Sequence, residues 1–523
     1  MSRSKSEPAV LVGISRRDFN WILFGLFIAM LLSALDNTIV GTALPQIVGQ
    51  FRGLSKFTWV TTAYVVTSAV STLVLGKLSD QLGRRKIFLF AITTFVVASV
   101  LCGAAQNMNQ LILFRAMQGF GGGGLWSLSF AVIGDFVSPR DRGRYFGLFS
   151  GVYAVAAVAG PLVGGIIVDH VSWRWIFFFN VPLGLVALGV TATVLRHPFV
   201  RRPGKFDAAG AGLVSAAIAG LMIALEEGPH EGWRDAKVVG LFAASAVLVA
   251  AFIAHERKAA DPLLPLRMFA NPSLRINYIL SAIVGTTMMS SGLFFGLFFQ
   301  DVRFYSPTRA GLAMVPMMVA MMGAATMSGR LVAKLGRYRI FPLIGVPASM
   351  IGFVLARQLL GDRPYAVLAV AIFFMGLGMG LTMPTLSIAA QNSADTRDLG
   401  IATAAGNFFR TVGSSVGLAV NGALFNVALA TQLGRRLPAS IDRTEVAKIV
   451  RAPKQIALLA PPIREAVQRS ITSGVVRVYG FAILTSLVSL VVVALFFREM
   501  PLRTTIEPSG EDEGSAVLVF ADA

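Results

Sequence analysis

Long apolar segments recur from one end of the chain to the other, separated by short polar stretches that carry most of the charges. A helix needs about 20 mostly apolar residues to cross the hydrocarbon core of a bilayer. The pattern therefore predicts an all-α polytopic membrane protein with fourteen transmembrane helices. Their approximate limits are 21–44, 58–76, 87–105, 110–132, 144–168, 175–195, 208–226, 238–255, 277–300, 310–331, 340–359, 365–389, 401–427 and 475–497.

The first apolar run, residues 21–34, follows Arg16 and Arg17. A secretory signal would be followed by a small-residue cleavage site. No such site follows this run, so we interpret it as a retained first span.

Composition agrees with a membrane protein, because 55% of the 523 residues are hydrophobic and only 14% are charged. The lone Cys102 lies inside a span, which excludes an internal disulfide and argues against a metal cluster. A loose GxGxxG pattern at 119–124 follows no strand and lies within a span, so it favours close helix packing over nucleotide binding. The sequence shows no phosphate-binding loop and no catalytic triad. We therefore expect no enzyme, no cofactor and no metal.

The formal net charge of +19 reflects the uneven distribution of Lys and Arg between alternate loops. Most of them fall in the loops and tails on one side, which is the positive-inside bias and not a nucleic-acid footprint. This bias predicts a multi-pass protein of the cell (inner) membrane with both termini cytoplasmic. The basic segment 428–474 departs from it, because the span count places that segment outside. Its periodic apolar residues predict short amphipathic surface helices, with a solvated cap favoured over a functional lid: Val446, Ile449, Val450, Ile463, Ala466 and Val467.

A charged loop between two apolar runs occurs twice. Residues 76–86 and residues 329–337 share Gly, Leu, Leu, Gly and Arg at the same spacing, with the first glycines at 76 and 329. The chain therefore contains two related halves. Such a duplicated half resembles the major facilitator superfamily of secondary transporters, in which the halves rock about a midplane cavity.

The two spans at 208–226 and 238–255 lie between the halves, which resembles the fourteen-span drug:proton antiporter (multidrug efflux) branch of that superfamily. The resemblance implies two six-helix bundles plus two inserted helices. The expected division is a cytoplasmic tail at 1–20, an N-terminal bundle at 21–195, a linker with two helices at 196–275, a C-terminal bundle at 276–500 with its long external loop at 428–474, and a cytoplasmic tail at 501–523.

Other stretches resemble motifs of the same branch, in the same order along the chain. They are the first-span motif at 35–45, the RxxQG element at 115–119, the antiporter motif with Gly151, Gly160, Pro161, Gly164 and Gly165, the start of the sixth span at 173–182, and an element beginning at Arg410. Glycines in the antiporter motif would permit close packing at the bundle interface. The association of that motif with antiport comes from the family.

Asp36 is an acid inside an apolar span, where a carboxylate is costly and commonly functional. We expect it to take up a proton in one conformation and release it in another; the alternative is an acid satisfied by nearby hydroxyl groups. Arg115 is a deeply placed cation that would need an anion. The sequence leaves open whether the two side chains meet, but both are assigned to proton coupling.

The loop at 76–86 is interpreted as a conformational latch that closes the cytoplasmic side and favours the outward-facing state. Its members are Gly76, Asp80, Gly83, Arg84, Arg85 and, as a partner suggested by the family resemblance, Asp135. The second copy carries Ala333 where the first carries Asp80, so its latch should be weaker or absent. The alternative is a turn shaped by the positive-inside bias alone.

The candidate substrate cavity comprises Gln118, Met314, Met318, Met321, Phe298 and Arg410. Methionine is flexible and polarizable, which suits a pocket that accepts many shapes; a plain core or lipid-facing stripe is the alternative for the methionines and phenylalanines. The expected function is proton-coupled export of lipophilic, drug-like compounds by a monomer in a lipid bilayer. A lipid or endogenous-metabolite exporter on the same scaffold is the second hypothesis, because fold does not fix substrate.

Overall fold

The computed structural model describes residues 15–51, 57–137, 142–195, 206–361, 363–395, 398–437, 456 and 458–502. The N-terminal half contains α1 (Arg16–Phe51), α2 (Phe57–Leu82), α3 (Arg84–Ala104), α4 (Met108–Phe136), α5 (Arg142–His170), α6 (Trp175–Phe178) and α7 (Asn180–Val194). Then come α8 (Ala208–Glu231) and α9 (Ala236–Glu256). The C-terminal half contains α10 (Arg267–Ala270), α11 (Pro272–Leu297), α12 (Pro307–Ala313), α13 (Val315–Leu335), α14 (Ile340–Leu359), α15 (Tyr365–Ser393), α16 (Leu399–Arg436) and α17 (Pro461–Leu495). A π-helical turn, Phe298–Val302, extends α11.

These helices make fourteen passes, the number the sequence predicts, with α6 and α7 forming one pass and α12 and α13 another. Twelve passes among the described residues are long and apolar enough to cross a membrane by length and composition. The other two are α4 and α5. Glycines and polar residues lower the hydropathy of α4, which packs against α2 and α3, while α5 packs against α1 and α13.

The passes form two bundles joined by the inserted pair. Helices α1 to α7 pack on one another, as do α11 to α17, and α8 packs on α9. The inserted pair contacts the rest through α8, which touches α2 and α16. The bundles meet where α5 packs on α13 and where α2 and α4 pack on α16. The two halves therefore share an interface formed by α2, α4 and α5 of one bundle and α13 and α16 of the other.

The glycine-rich run at 119–124 packs α4 against its neighbours. A Cβ on Gly119 would lie 2.3 Å from the Tyr64 carbonyl oxygen, and one on Gly123 would lie 2.1 Å from the Ser68 carbonyl oxygen. Only glycine permits this approach of the α2 backbone.

The sequence predicted that segment 428–474 is one external loop with short surface helices, and the structure differs from this prediction. Helix α16 continues to Arg436 and α17 begins at Pro461, so both flanks of the segment prolong membrane passes. Val467 is fully buried, and Ile463 and Ala466 pack against the core of the C-terminal bundle. The periodic apolar residues 463–467 lie on the face of α17 that packs on this core. The prediction of a separate surface helix at these residues was therefore wrong. Val446, Ile449 and Val450 lie outside the described residues.

Candidate functional site

A closed polar network surrounds Asp36 in the middle of α1. Its Oδ2 accepts a hydrogen bond from Arg115 Nη1 at 2.5 Å, and its Oδ1 accepts bonds from Gln118 Nε2 and Asn180 Nδ2, both at 2.9 Å. Asp36 is 2% exposed and Arg115 is 1% exposed. The structure thus brings together the two charges whose contact the sequence left open, as a buried ion pair.

Local helix geometry positions the partners of Asp36. Arg115 and Gln118 lie three residues apart on α4 and so project from one face. Asn180 is the first residue of α7, directly after the break that separates α6 from α7. Ser99 of α3 accepts a bond from Gln118 Nε2 at 2.6 Å. Asn180 was not among the predicted site residues, although its place in the motif at 173–182 was a signal that could have identified it.

Tyr64 of α2 forms the wall between this network and a central cavity. Arg115 Cζ lies 4.4 Å from the centroid of the Tyr64 ring, which is cation–π distance. The Tyr64 hydroxyl is hydrogen bonded to the Ser33 hydroxyl at 2.9 Å, and Arg115 Nε donates to the Val60 carbonyl at 3.3 Å. Tyr64 and Asn37, the neighbour of Asp36 in sequence, both line the cavity. The side chain of Tyr64 alone therefore separates the Asp36–Arg115 pair from the cavity.

The central cavity has a volume of about 230 Å³ and lies between the bundles. Its lining combines aromatic, methionine and small polar side chains, among them Tyr64, Ser68, Trp126, Phe130, Met288, Met321, Met379, Met383, Ser387, Asn407 and Arg410. Arg410 is the only charged residue among the described residues of the lining.

The predicted cavity residues separate into three places. Met321 and Arg410 line the central cavity. The core of the C-terminal bundle buries Met314, Met318 and Phe298 in one apolar cluster with Phe295 and Tyr479. These three residues are therefore core residues, which was the alternative to a cavity role. Gln118 binds Asp36 and does not line the cavity. Met314, Met318 and Met321 have the spacing of one helical face, but different neighbours cover that face along its length.

The latch residues form an ion-pair cluster at the end of α2. Arg84 Nη1 lies 2.5 Å from Asp80 Oδ1, and Arg84 Nε lies 2.8 Å from Asp135 Oδ2 at the end of α4. Gly83 joins α2 to α3 with φ 98°, a conformation that favours glycine. Arg85 is not part of the cluster, because its guanidinium donates to the Ala192 carbonyl on α7 at 2.6 Å.

The latch packs directly against the beginning of α16 in the other bundle. A Cβ on Gly400 would lie 2.6 Å from Asp80 Oδ1 and 2.7 Å from Arg84 Nη1, and a Cβ on Gly76 would lie 2.9 Å from that of Ala404. Glycine at both positions therefore lets the charged cluster rest on α16. The ion pairs lie within the N-terminal bundle, but the contact they shape joins the two bundles.

Two further polar contacts surround this end, and the sequence did not indicate them. Lys77 and Gln81 of α2 both bind the carboxylate of Asp261, which follows the inserted helices. Arg267 Nη2 lies 2.9 Å from Asp398, the residue before α16. The segment after α9 is thereby connected to both sides of the bundle contact. Spacing along the chain gives no signal for pairs more than 100 residues apart.

The antiporter motif on α5 packs against α1 beside Asp36. A Cβ on Gly160 would lie 2.0 Å from Thr38 Oγ1, and that hydroxyl donates to the Ala156 carbonyl at 2.9 Å. A Cβ on Gly151 would lie 3.1 Å from Met322 of α13, across the bundle interface. Gly164 is buried, a Cβ on Gly165 would meet open space, and Pro161 lies within the continuous helix α5. This helix therefore touches both the Asp36 region and the other bundle.

The fold and this site can be compared with known proteins. Residues 26–418 match the family described as Major Facilitator Superfamily. The chain belongs to this superfamily. The human organic anion transporter MFSD10 (TETRAN) has a similar fold, with a TM-score of 0.62 at 13% identity over 91% of this chain and 99% of that one.

Relatives of this facilitator include proteins named for drug transport. It is 37% identical to the multidrug transporter protein MdtP of Bacillus subtilis over 424 residues, which cover 80% of this chain and 78% of MdtP. It is also 37% identical to multidrug resistance protein 3 of the same organism over 403 residues, covering 77% and 78% of the two chains. The chain is thus a membrane transporter whose relatives include multidrug efflux proteins.

Proposed function

We propose that this facilitator is a proton-coupled exporter of lipophilic, drug-like compounds that works by alternating access in the cell membrane, with both termini cytoplasmic. The observation that supports coupling is the buried Asp36–Arg115 pair, which shares the Tyr64 wall with the central cavity. Protons and small lipophilic substrates would occupy opposite sides of that wall.

The coupling step follows from charge neutralisation. A proton on Asp36 leaves Arg115 without its counterion while both remain buried, and breaking a buried pair in this way costs about 3–5 kcal/mol. The N-terminal bundle can reduce that cost by moving α4 relative to α1 and α2, which displaces Arg115 from the Tyr64 ring. Because Tyr64 lines the cavity, this movement changes the substrate site. Deprotonation on the other side of the membrane would restore the network.

The cavity lining supports a lipophilic substrate class. Four methionines provide adaptable apolar contacts: Met288, Met321, Met379 and Met383. Trp126 and Phe130 add flat apolar surfaces, and the described lining contains no carboxylate to hold a dication. These features favour neutral drug-like compounds.

The latch supports a cytoplasm-closed, outward-facing role for the contact between α2 and α16. Arg84 holds α2 to α4 through Asp80 and Asp135, and the cluster fills the space above Gly400. Opening this end would require the cluster to leave α16. The antiporter motif, packed on α1 beside Asp36, would keep the two events connected.

The test is proton flux in proteoliposomes that contain a pH-sensitive dye and the purified monomer. Addition of a lipophilic drug should evoke flux in the wild type, and Asp36→Asn should abolish it while protein yield and thermal stability stay similar. Asp301→Asn is the matched control, because Asp301 is a buried acid in the C-terminal bundle outside the network. Full drug-evoked flux in Asp36→Asn would remove this residue from the mechanism, and drug transport without flux in the wild type would overturn proton coupling.

A further inference from the structure

A second cavity, of about 600 Å³, opens between the bundles where α5 packs on α13. Its wall is mostly apolar and includes Phe27 of α1, Leu148 and Val155 of α5, and Met322 and Met327 of α13. Four of these side chains are also 42–48% exposed: Leu148, Val155, Met322 and Met327. In a membrane such surfaces face acyl chains, so the cavity is a groove open to the lipid and separate from the central cavity.

One end of this groove is basic. Arg330 lines it, and Lys334 lies one turn further along the same helix. Both residues are exposed, and neither side chain forms a hydrogen bond or ion pair within the described part of the chain. They occupy the positions that Lys77 and Gln81 hold in the first copy of the repeated loop, where both bind Asp261. In the second copy, Arg330 and Lys334 are thus available to bind an anion from outside the protein.

The groove has the depth of one leaflet. Arg330 and Met322 are separated by about 12 Å along α13, from the rise of an α-helix. Half of the hydrocarbon core of a bilayer measures about 15 Å. Helices α2 and α13 are both even-numbered passes, so Arg330 lies at the same end as the latch. In the proposed orientation this end is cytoplasmic, and the inference rests on that orientation but not on the proposed substrate.

We propose that this groove binds one anionic phospholipid of the cytoplasmic leaflet, with an acyl chain against α5 and α13 and the headgroup phosphate at Arg330 and Lys334. Basic sites between transmembrane helices at this depth bind anionic headgroups, and arginine pairs with phosphate through directed hydrogen bonds. The acyl chain of the lipid contacts α5 of the N-terminal bundle and α13 of the C-terminal bundle. The lipid is therefore held by both bundles and is released or rearranged when they rock.

The headgroup half of the proposal is tested by photolabelling the full-length protein in nanodiscs. Phosphatidylglycerol with a diazirine in its acyl chain is compared with the same probe built on phosphatidylcholine, and labelled peptides are identified by mass spectrometry. Phosphatidylglycerol should label α5 and α13 preferentially. Arg330→Gln should lower that labelling about fivefold, the equivalent of about 1 kcal/mol for one basic residue near the membrane surface.

Arg275→Gln is the matched control for this variant, because Arg275 is an exposed arginine at the same end of α11, away from the groove. It should leave the labelling of α5 and α13 unchanged. Equal labelling by the two headgroups, or equal labelling of wild type and Arg330→Gln, would overturn the proposal.

The acyl-chain half is tested by filling the groove. Gly323 lines it, and a Cβ there would have no atom within 4 Å, so Gly323→Leu extends into free space. This variant should reduce labelling of α5 and α13 by both lipid probes. Gly240→Leu on α9, where a Cβ also meets open space, is its control. Labelling spread evenly over α9 and α13, or displacement of the label by a transported drug, would contradict a lipid site; if Gly323→Leu fails to fold, Arg330→Gln still decides.

Discussion

The two copies of the repeated loop both turn at a glycine, but their charged side chains make different contacts. Gly83 and Gly336 both take positive φ values, 98° and 70°, at the ends of α2 and α13. In the first copy Asp80 and Asp135 hold Arg84, and the cluster rests on α16. In the second copy Arg337, the counterpart of Arg84, has no ion-pair partner among the described residues.

One side chain explains much of this difference. Where the first copy carries Asp80, the second carries Ala333, and without the acid the neighbouring cations remain exposed. The glycines that shape the turn were kept, because the chain must reverse at both places. A duplicated loop can thus keep its turn glycine while one copy forms an ion-pair cluster against the other bundle and the second copy leaves its cations exposed.

The largest expected effect is that of breaking the first cluster. Arg84→Gln removes both ion pairs and leaves two carboxylates facing each other at the bundle contact, at a cost of about 3 kcal/mol. We expect loss of transport and separation of α2 from α16. Spin labels on these two helices, in a Cys102→Ser background, would report the distance. Arg337→Gln is the control and should behave as wild type. If Arg84→Gln and Arg337→Gln changed transport equally, the charges of both loops would serve only the positive-inside bias.

The second prediction adds bulk where the first copy docks. Gly400→Ala places a methyl group within 2.7 Å of both Asp80 and Arg84. Overpacking of this kind costs about 1–3 kcal/mol, so the cytoplasm-closed population and the initial transport rate should both fall. Gly406→Ala, on the same helix with open space around its Cβ, should change neither. Wild-type transport by Gly400→Ala would argue against this contact as a gate.

The third prediction concerns what the copies share. Gly336→Ala should destabilise the detergent-solubilised protein by about 1 kcal/mol, because Gly336 adopts the left-handed α conformation. Gly83→Ala should cost more, about 1–3 kcal/mol, because φ 98° with ψ 137° is a conformation that side chains rarely adopt. Thermal unfolding measures this effect, with Gly189→Ala, a helical glycine with open space, as the reference. A loss for Gly336→Ala that exceeds the loss for Gly83→Ala would contradict this order.

The smallest expected effect comes from restoring the missing acid. Ala333→Asp creates a pair with Arg337 four residues later, worth about 0.5 kcal/mol or less at an exposed site. Transport should be unchanged. The new carboxylate would compete for Arg330, so photolabelling by phosphatidylglycerol should fall about twofold. Unchanged labelling would weaken the assignment of the headgroup to this cation.

Sequence patterns predicted the passes, the repeat and several charges of the site, since these depend on properties local to the chain. A buried acid such as Asp36 is conspicuous in an apolar span wherever its partners lie. The roles of Tyr64 and Asn180 were not predicted, because an aromatic ring and an amide are ordinary in a span until a charge is seen beside them. Phe298 and Met314 were assigned to a cavity because periodicity gives the shared face of a helix but not the neighbour that covers it.

The sequence by itself determined that this is a fourteen-pass facilitator with a duplicated charged loop, because hydrophobic length and the cost of burying charge act on each segment separately. Only the tertiary structure decided that Asp36 meets Arg115, that the Arg84 cluster rests on Gly400, and that Arg330 opens onto a groove. Each of these depends on distances of a few ångströms between helices that are far apart in the chain. Such distances are set by the packing of whole bundles, and no local pattern encodes them.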